Sequence, residues 1–200
     1  MTNVRSILAA AIAAAALAFS PVSHAQVSGH NWYAGAGFGQ SKAKDACTGA
    51  AALGIACDDT DTATKIFGGY QFNKNLAVEV GYADLGKATA SVPGVSGEWK
   101  STSWDILAVG ILPINQQFSV LGKIGMASWS LDASLTALGV GSATQSASGT
   151  DVTYAVGVQY DFNDKVGLRA EWQTYSNIGD ENTTGQSDVS VIGASVLFRF

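Results

Sequence analysis

Ser190-Val191-Ile192-Gly193-Ala194-Ser195-Val196-Leu197-Phe198-Arg199-Phe200 closes the 200-residue chain. Counted back by twos from Phe200, one face carries Phe198, Val196, Ala194 and Ile192, and the other carries Arg199, Leu197, Ser195 and Gly193. Strict alternation over this length predicts a strand with one apolar face. Its length also matters. Strands of globular proteins average about five to six residues, whereas ~9–11 are needed to cross a bilayer on a tilt.

The same pattern recurs upstream. Eight strands are expected, at 31–39, 63–72, 76–86, 100–112, 118–130, 151–162, 166–177 and 188–200. In the sixth, Val152, Tyr154, Val156, Val158, Tyr160 and Phe162 alternate with Thr153, Ala155, Gly157, Gln159 and Asp161. In the seventh, Val166, Leu168, Ala170 and Trp172 alternate with Gly167, Arg169, Glu171 and Gln173. One face is apolar throughout; the other is small or polar, with charges near mid-strand. A soluble antiparallel sheet alternates too, with its apolar face inward. Strand length, a Gly-rich polar face and charges of both signs favour the inverse arrangement, with apolar side chains outward to lipid. Aromatic residues gather into two girdles, as rings settling at two headgroup levels would. Tyr70, Phe72, Phe118, Tyr160, Phe162 and Phe200 are expected near the short turns, and Trp99, Trp104, Trp129, Tyr154 and Trp172 toward the other end.

The connections sort into two kinds. Short turns fall at Asn73–Asn75, Pro113–Gln117 and Asn163–Lys165, and long polar loops at 40–62, 87–99, 131–150 and 178–187. They alternate strictly, the layout of a barrel with short turns at one mouth and long loops at the other. Tyr70-Gln71-Phe72-Asn73-Lys74-Asn75-Leu76 is nearly repeated as Tyr160-Asp161-Phe162-Asn163-Asp164-Lys165-Val166, each predicting a hairpin with a tight Asn-containing turn.

At the other terminus, Arg5 precedes an apolar stretch from Ile7 to Phe19, and Ser23 and Ala25 supply the small residues of a cleavage site. Residues 1–25 are therefore expected to be a signal peptide and 26–200 the mature domain. The leader holds one of the chain's 11 basic residues and none of its 16 acidic ones, so processing makes the chain more acidic still. An acidic chain without a Lys/Arg cluster argues against nucleic acid. Cys47 and Cys57, an even count in an exported chain, read as a disulfide. The alternatives are two free thiols or half a metal site, and the latter lacks nearby His or Cys ligands. No cofactor or metal is expected.

From Trp32 to Phe200 the chain resembles the OmpA-like eight-stranded outer-membrane barrels. The matching words are Trp32-Tyr33-Ala34-Gly35-Ala36-Gly37-Phe38-Gly39, Gly68-Gly69-Tyr70-Gln71-Phe72, Ala77-Val78-Glu79-Val80-Gly81-Tyr82, Leu121-Gly122-Lys123-Ile124-Gly125, Gly157-Val158-Gln159-Tyr160 and Leu168-Arg169-Ala170-Glu171-Trp172. The terminal Phe200, with Phe198 and Val196, looks like the signal read by the barrel assembly machinery. The resemblance implies an all-β, antiparallel up-and-down transmembrane barrel in the outer membrane. It also implies a lumen salt-bridge cluster at Glu79, Lys123, Arg169 and Glu171. Val109 and Gln159 stand where better-known members carry a Lys and a Glu, a paired loss that keeps the balance of charge. The family's peptidoglycan-binding domain has no counterpart after Phe200, so a tethering role is not expected.

Three functions follow as expectations. The first is a monomeric structural or surface-interaction protein, its partners lipid, lipopolysaccharide and a host or phage ligand at acidic loops bearing Asp45, Asp58, Asp59, Asp61, Glu98, Asp180 and Glu181. Eight strands enclose an interior just wide enough for side chains to fill. The second is a narrow channel lined by Glu79, Asp105, Lys123, Arg169, Glu171 and Arg199. The third is a lipid-modifying enzyme. That chemistry generally needs a His beside a Ser or carboxylate. After the leader only His30 remains, with no such partner pattern, and Gly35, Gly37 and Gly39 open no phosphate-binding helix.

Overall fold

The computed structural model describes residues 31–44, 46–48, 50, 52, 54–139, 141–180 and 185–200. The leader at 1–25, His30, Asp45 and Glu181 lie outside the described residues. Nine strands follow in order: β1 Trp32–Ala43, β2 Ala56–Asp58, β3 Thr60–Asn73, β4 Leu76–Val92, β5 Val95–Pro113, β6 Phe118–Ala137, β7 Gly141–Asp161, β8 Val166–Asp180 and β9 Gly185–Arg199. Eight of them form one antiparallel sheet that closes on itself through the β1–β9 and β4–β5 pairings, while the three-residue β2 lies on the edge of β4. Where β1 and β9 close the sheet, Phe200 N donates to Trp32 O at 3.0 Å.

The register fixes the barrel's dimensions. A walk across the ladders from Trp32 passes Tyr70, Val78, Ala108, Ile124, Tyr154, Thr174 and Ser190, and returns to β1 at Lys42, ten residues further along. Eight strands with that stagger tilt by about 40° and enclose a cylinder of ~8 Å radius, given strands ~4.8 Å apart rising ~3.3 Å per residue. Such a bore is filled by side chains.

The alternation is inside out, as expected. Phe38 (72% exposed), Ile66 and Ile124 face outward, whereas Leu107 and Glu79 (0% and 1%) face the axis. The three short turns sit where the Asn residues placed them. In each, an Asn side-chain oxygen accepts the backbone N–H two residues on: Asn73 from Asn75 at 2.8 Å, Asn115 from Gln117 at 2.9 Å and Asn163 from Lys165 at 2.9 Å. These side chains set the chain reversals, and each turn is also tied to the next strand: Ile111 N donates to Asn75 O, Asp161 N to Gln117 O and Arg199 N to Lys165 O, each at 2.8 Å.

Two expectations are corrected. The stretches 87–99 and 131–150 are not irregular loops. β4 and β5 stay paired to Val92↔Val95, and β6 and β7 to Ala137↔Gly141, so both are β-ribbons projecting past the membrane band. Their tips turn at Gly94 (φ 86°) and Gly139 (φ 79°), backbone that favours glycine. Second, Trp99 and Trp129 do not join the outer girdle. Trp129 is 4% exposed and points into the barrel mouth, with Trp99 packed against the same cluster. The ring of Trp129 occupies the space a side chain at Gly149 would need. The upper girdle consists instead of Tyr82, Trp104, Tyr154 and Trp172; the rings of Tyr82 and Trp104 meet at a tilt, with centroids 5.0 Å apart.

Candidate functional site

The inward-facing polar residues form three levels along the axis. At the short-turn mouth, Arg199 Nη2 lies 2.9 Å from Asp161 Oδ1, and Gln159 Nε2 donates to the same carboxylate at 3.0 Å.

The middle level centres on Glu79. Its Oε1 accepts from Tyr33 OH at 2.8 Å and from Arg169 Nη1; its Oε2 accepts from Lys123 Nζ. Lys123 also reaches Glu171 Oε1 at 2.6 Å. Arg169 turns its remaining donors, Nε and Nη2, onto Gln159 Oε1 at 3.0 and 2.9 Å. The side chains of Glu79 and Lys123 have no solvent exposure and that of Arg169 has 2%. Both cations also lie over aromatic rings: Arg169 above Phe67 at 5.2 Å and Tyr33 at 5.7 Å, Lys123 above Phe67 at 5.4 Å. Beneath this level Val109 is buried with Ala77, Leu121 and Leu197 in an apolar collar.

The upper level is built on Asp105. Its Oδ2 accepts from Lys65 Nζ at 2.9 Å, from Tyr175 OH at 3.1 Å and from Gln173 Nε2 at 3.3 Å. Gln173 also takes Lys65 Nζ at 2.8 Å and gives a hydrogen bond to Thr153 Oγ1 at 3.0 Å. A cavity of about 50 Å³ separates this level from the middle one, lined by Gly37, Gly39 and Gly193 together with Lys65, Glu171 and Ser195. That is room for a few waters. Above it, Leu85, Trp129, Leu131, Tyr175, Ile178 and Val189 form an apolar lid, and Trp129 Nε1 donates to Asp151 Oδ2 at 2.9 Å.

Glu79, Lys123, Arg169 and Glu171 are thus brought together. Asp105 and Arg199 belong to separate levels, each with a partner that the sequence reading did not name: Lys65 for Asp105 and Asp161 for Arg199. Parity alone places Lys65 inside, since Ile66 faces out. Gln159 does more than preserve charge balance, because it links the middle level to the lower one. Lys65, Lys123, Arg169 and Arg199 are matched by Glu79, Asp105, Asp161 and Glu171, so these paired lumen charges sum to zero. Among the described residues no group of His, Cys, Asp and Glu is placed to hold a metal. Cys47 and Cys57, the latter in β2, are joined as a disulfide.

The family model of the OmpA-like transmembrane domain matches residues 28–200. The chain belongs to the OmpA-like transmembrane family. This OmpA-like barrel is an outer-membrane protein, 30% identical over 193 residues to outer membrane protein A of Salmonella typhi, covering 96% of this chain and 55% of the relative. The chain thus spans about half the length of the curated relatives it matches. Among solved structures, Neisserial surface protein A aligns with a TM-score of 0.56 at 19% identity, covering 84% of this chain and 97% of that one. Ail of Yersinia pestis aligns with a TM-score of 0.55 at 18% identity, covering 86% and 99%. Both likenesses concern the fold.

Proposed function

We propose that the OmpA-like barrel is a structural, non-conducting and non-enzymatic element of the outer membrane that meets its partners through the sheet and loops on its extracellular side. One observation carries this reading: paired charges cross the bore at three levels and an apolar lid closes the outer mouth, leaving a cavity of only about 50 Å³ between the middle and upper levels. An ion entering would have to part buried pairs whose separation is costly. Residues 1–25 act as a cleaved leader. Phe200, Phe198 and Val196, all exposed on the lipid face, serve as the signal for the assembly machinery. Lipid and lipopolysaccharide surround the wall. The acidic groups of the outer rim are tied into local structure: Asp61 accepts the backbone N–H groups of Thr62 and Lys87. They are more fitted to holding the rim than to catalysis.

The test combines two measurements on the purified full chain. Unheated samples should migrate faster than boiled ones in detergent gels, and planar bilayers should show no stable conductance. Selective, long-lived openings would favour the channel. Altered lipid A acylation in overexpressing cells would favour the enzyme.

A further inference from the structure

The sheet that projects beyond the membrane has two edges, and the molecule treats them differently. On one side β4 is covered at Thr89–Ser91 by β2, whose Cys57 is bonded to Cys47. On the other side β7 pairs with β6 along its full length, from Tyr160 to Gly141, but with β8 only from Asp161 to Thr153. The reason lies in β8. A register shift between Tyr175 and Ile178, with Asn177 at φ 55°, turns Ile178 into the apolar lid and away from β7. Among the described residues, 141–152 are therefore laddered on one side only, and every second residue presents N–H and C=O groups to solvent.

Nothing on this edge blunts it. Natural edges carry lysine, proline or a bulge. Residues 141–152 have no Lys, Arg or Pro, and their register with β6 is unbroken. The one charge, Asp151, sits at the base and is engaged by Trp129 and Asn177. The two faces differ. Toward the barrel axis lie Ala143, Gln145 and Ala147; Ala143 and Ala147 face the larger Leu135 and Leu131, with Leu135 still 52% exposed, while Gln145 faces Ala133. The outward face is a row of hydroxyls: Ser142, Thr144, Ser146, Ser148 and Thr150.

We propose that the free edge of β7 at 141–152 is a strand-addition site for an extended segment of a partner protein. That segment carries large apolar side chains at alternate positions, on the inner face beside Ala143 and Ala147, with uncharged polar ones between. The covered edge of β4 shows within this chain that the sheet accepts an added strand. A second copy fits poorly. Two barrels in one membrane are related by rotation about the membrane normal, so strands tilted by about 40° cross instead of aligning. The proposal rests on the surface-contact reading above and names the partner's chemistry.

The test uses the full chain in lipid nanodiscs and, as probe, a capped decapeptide alternating Leu or Val with Thr. Amide hydrogen exchange is followed by mass spectrometry. Bound peptide should slow exchange across 142–150 by tenfold or more and leave 153–161 unchanged. Ser146→Lys, or separately Ser148→Pro, should abolish that protection while unheated gel mobility stays that of the folded barrel. No protection at millimolar peptide, with the barrel folded, overturns the proposal. So does protection without peptide that disappears on dilution and accompanies a cross-linked dimer of Ser146→Cys, since the occupant is then a second copy. Surface labelling of Ser146→Cys on intact cells separates the two claims. A labelled residue with no peptide binding removes only the edge site, whereas an unlabelled one on intact cells removes the surface-contact reading as well.

Discussion

The middle and upper levels of the lumen hold the same kinds of side chain under different conditions. Glu79 uses both carboxylate oxygens, toward two cations and a tyrosine, and no solvent reaches it. Asp105 takes all its donors on Oδ2 and leaves Oδ1 without a hydrogen bond, while its cation Lys65 keeps 17% exposure. Chemical likeness therefore hides a difference in consequence. Where both partners are dry, neither can be removed alone; where one touches water, solvent can take over part of the load.

The comparison breaks most visibly at Glu79. Glu79→Ala strands Lys123 and Arg169 as uncompensated cations, and the barrel should lose about 3–5 kcal/mol in urea unfolding from lipid vesicles. Next comes the lid: Trp129→Ala should cost about 3 kcal/mol in the same assay, the lower end for a buried ring, because the mouth can admit water. Asp105→Asn sharpens the contrast. Lys65 keeps Gln173 and a path to solvent, so a loss of about 1–2 kcal/mol is expected. Equality with Glu79→Ala would show the two levels to be equivalent. Replacing Cys47 and Cys57 together by Ser should change barrel stability by under about 1 kcal/mol, because the loop the disulfide closes can open locally while the wall strands stay paired, yet speed amide exchange at 56–58.

The smallest effect lies outside the membrane. Lys87 meets Glu98 at 3.0 Å, and that hydrogen bond holds the lysine above its ordinary pKa. A raised lysine favours the folded ribbon below the ordinary lysine pKa and loses that effect as pH rises through the raised value. Both partners are solvated, so Lys87→Met should leave the unfolding midpoint unchanged within error at neutral pH and in 0.5 M salt alike, as for most exposed pairs.

Much of this was legible in the sequence, and the rest shows what alternation leaves out. Parity marks which face a residue joins, so the outward rows and the inward charges were readable, while the grouping of Glu79, Lys123, Arg169 and Glu171 was implied by the family resemblance. Parity does not give height along the axis. Height depends on the ten-residue stagger, which arises only when the sheet closes, and so Asp105 and Arg199 were grouped with a level they do not share. Trp129 was misplaced although parity put it inside, because a tryptophan near a strand end suggests a lipid interface before it suggests a lid; Trp99 fell in a stretch read as loop, where parity gave no guide. The ribbons at 87–99 and 131–150 were hidden for another reason. Ser, Thr, Ala and Gly alternate too weakly in polarity to announce strands, and only their partners across the ladder reveal them.

The length of β6 and β7 has a mechanical consequence. Both run about ten residues past the upper girdle, roughly 30 Å of ribbon continuous with the barrel wall. A pull on the tip toward the outside loads many backbone hydrogen bonds in parallel instead of peeling them one by one. Tension at the cell surface would reach the embedded wall with little slack, and the extracellular sheet would behave as a stiff mast.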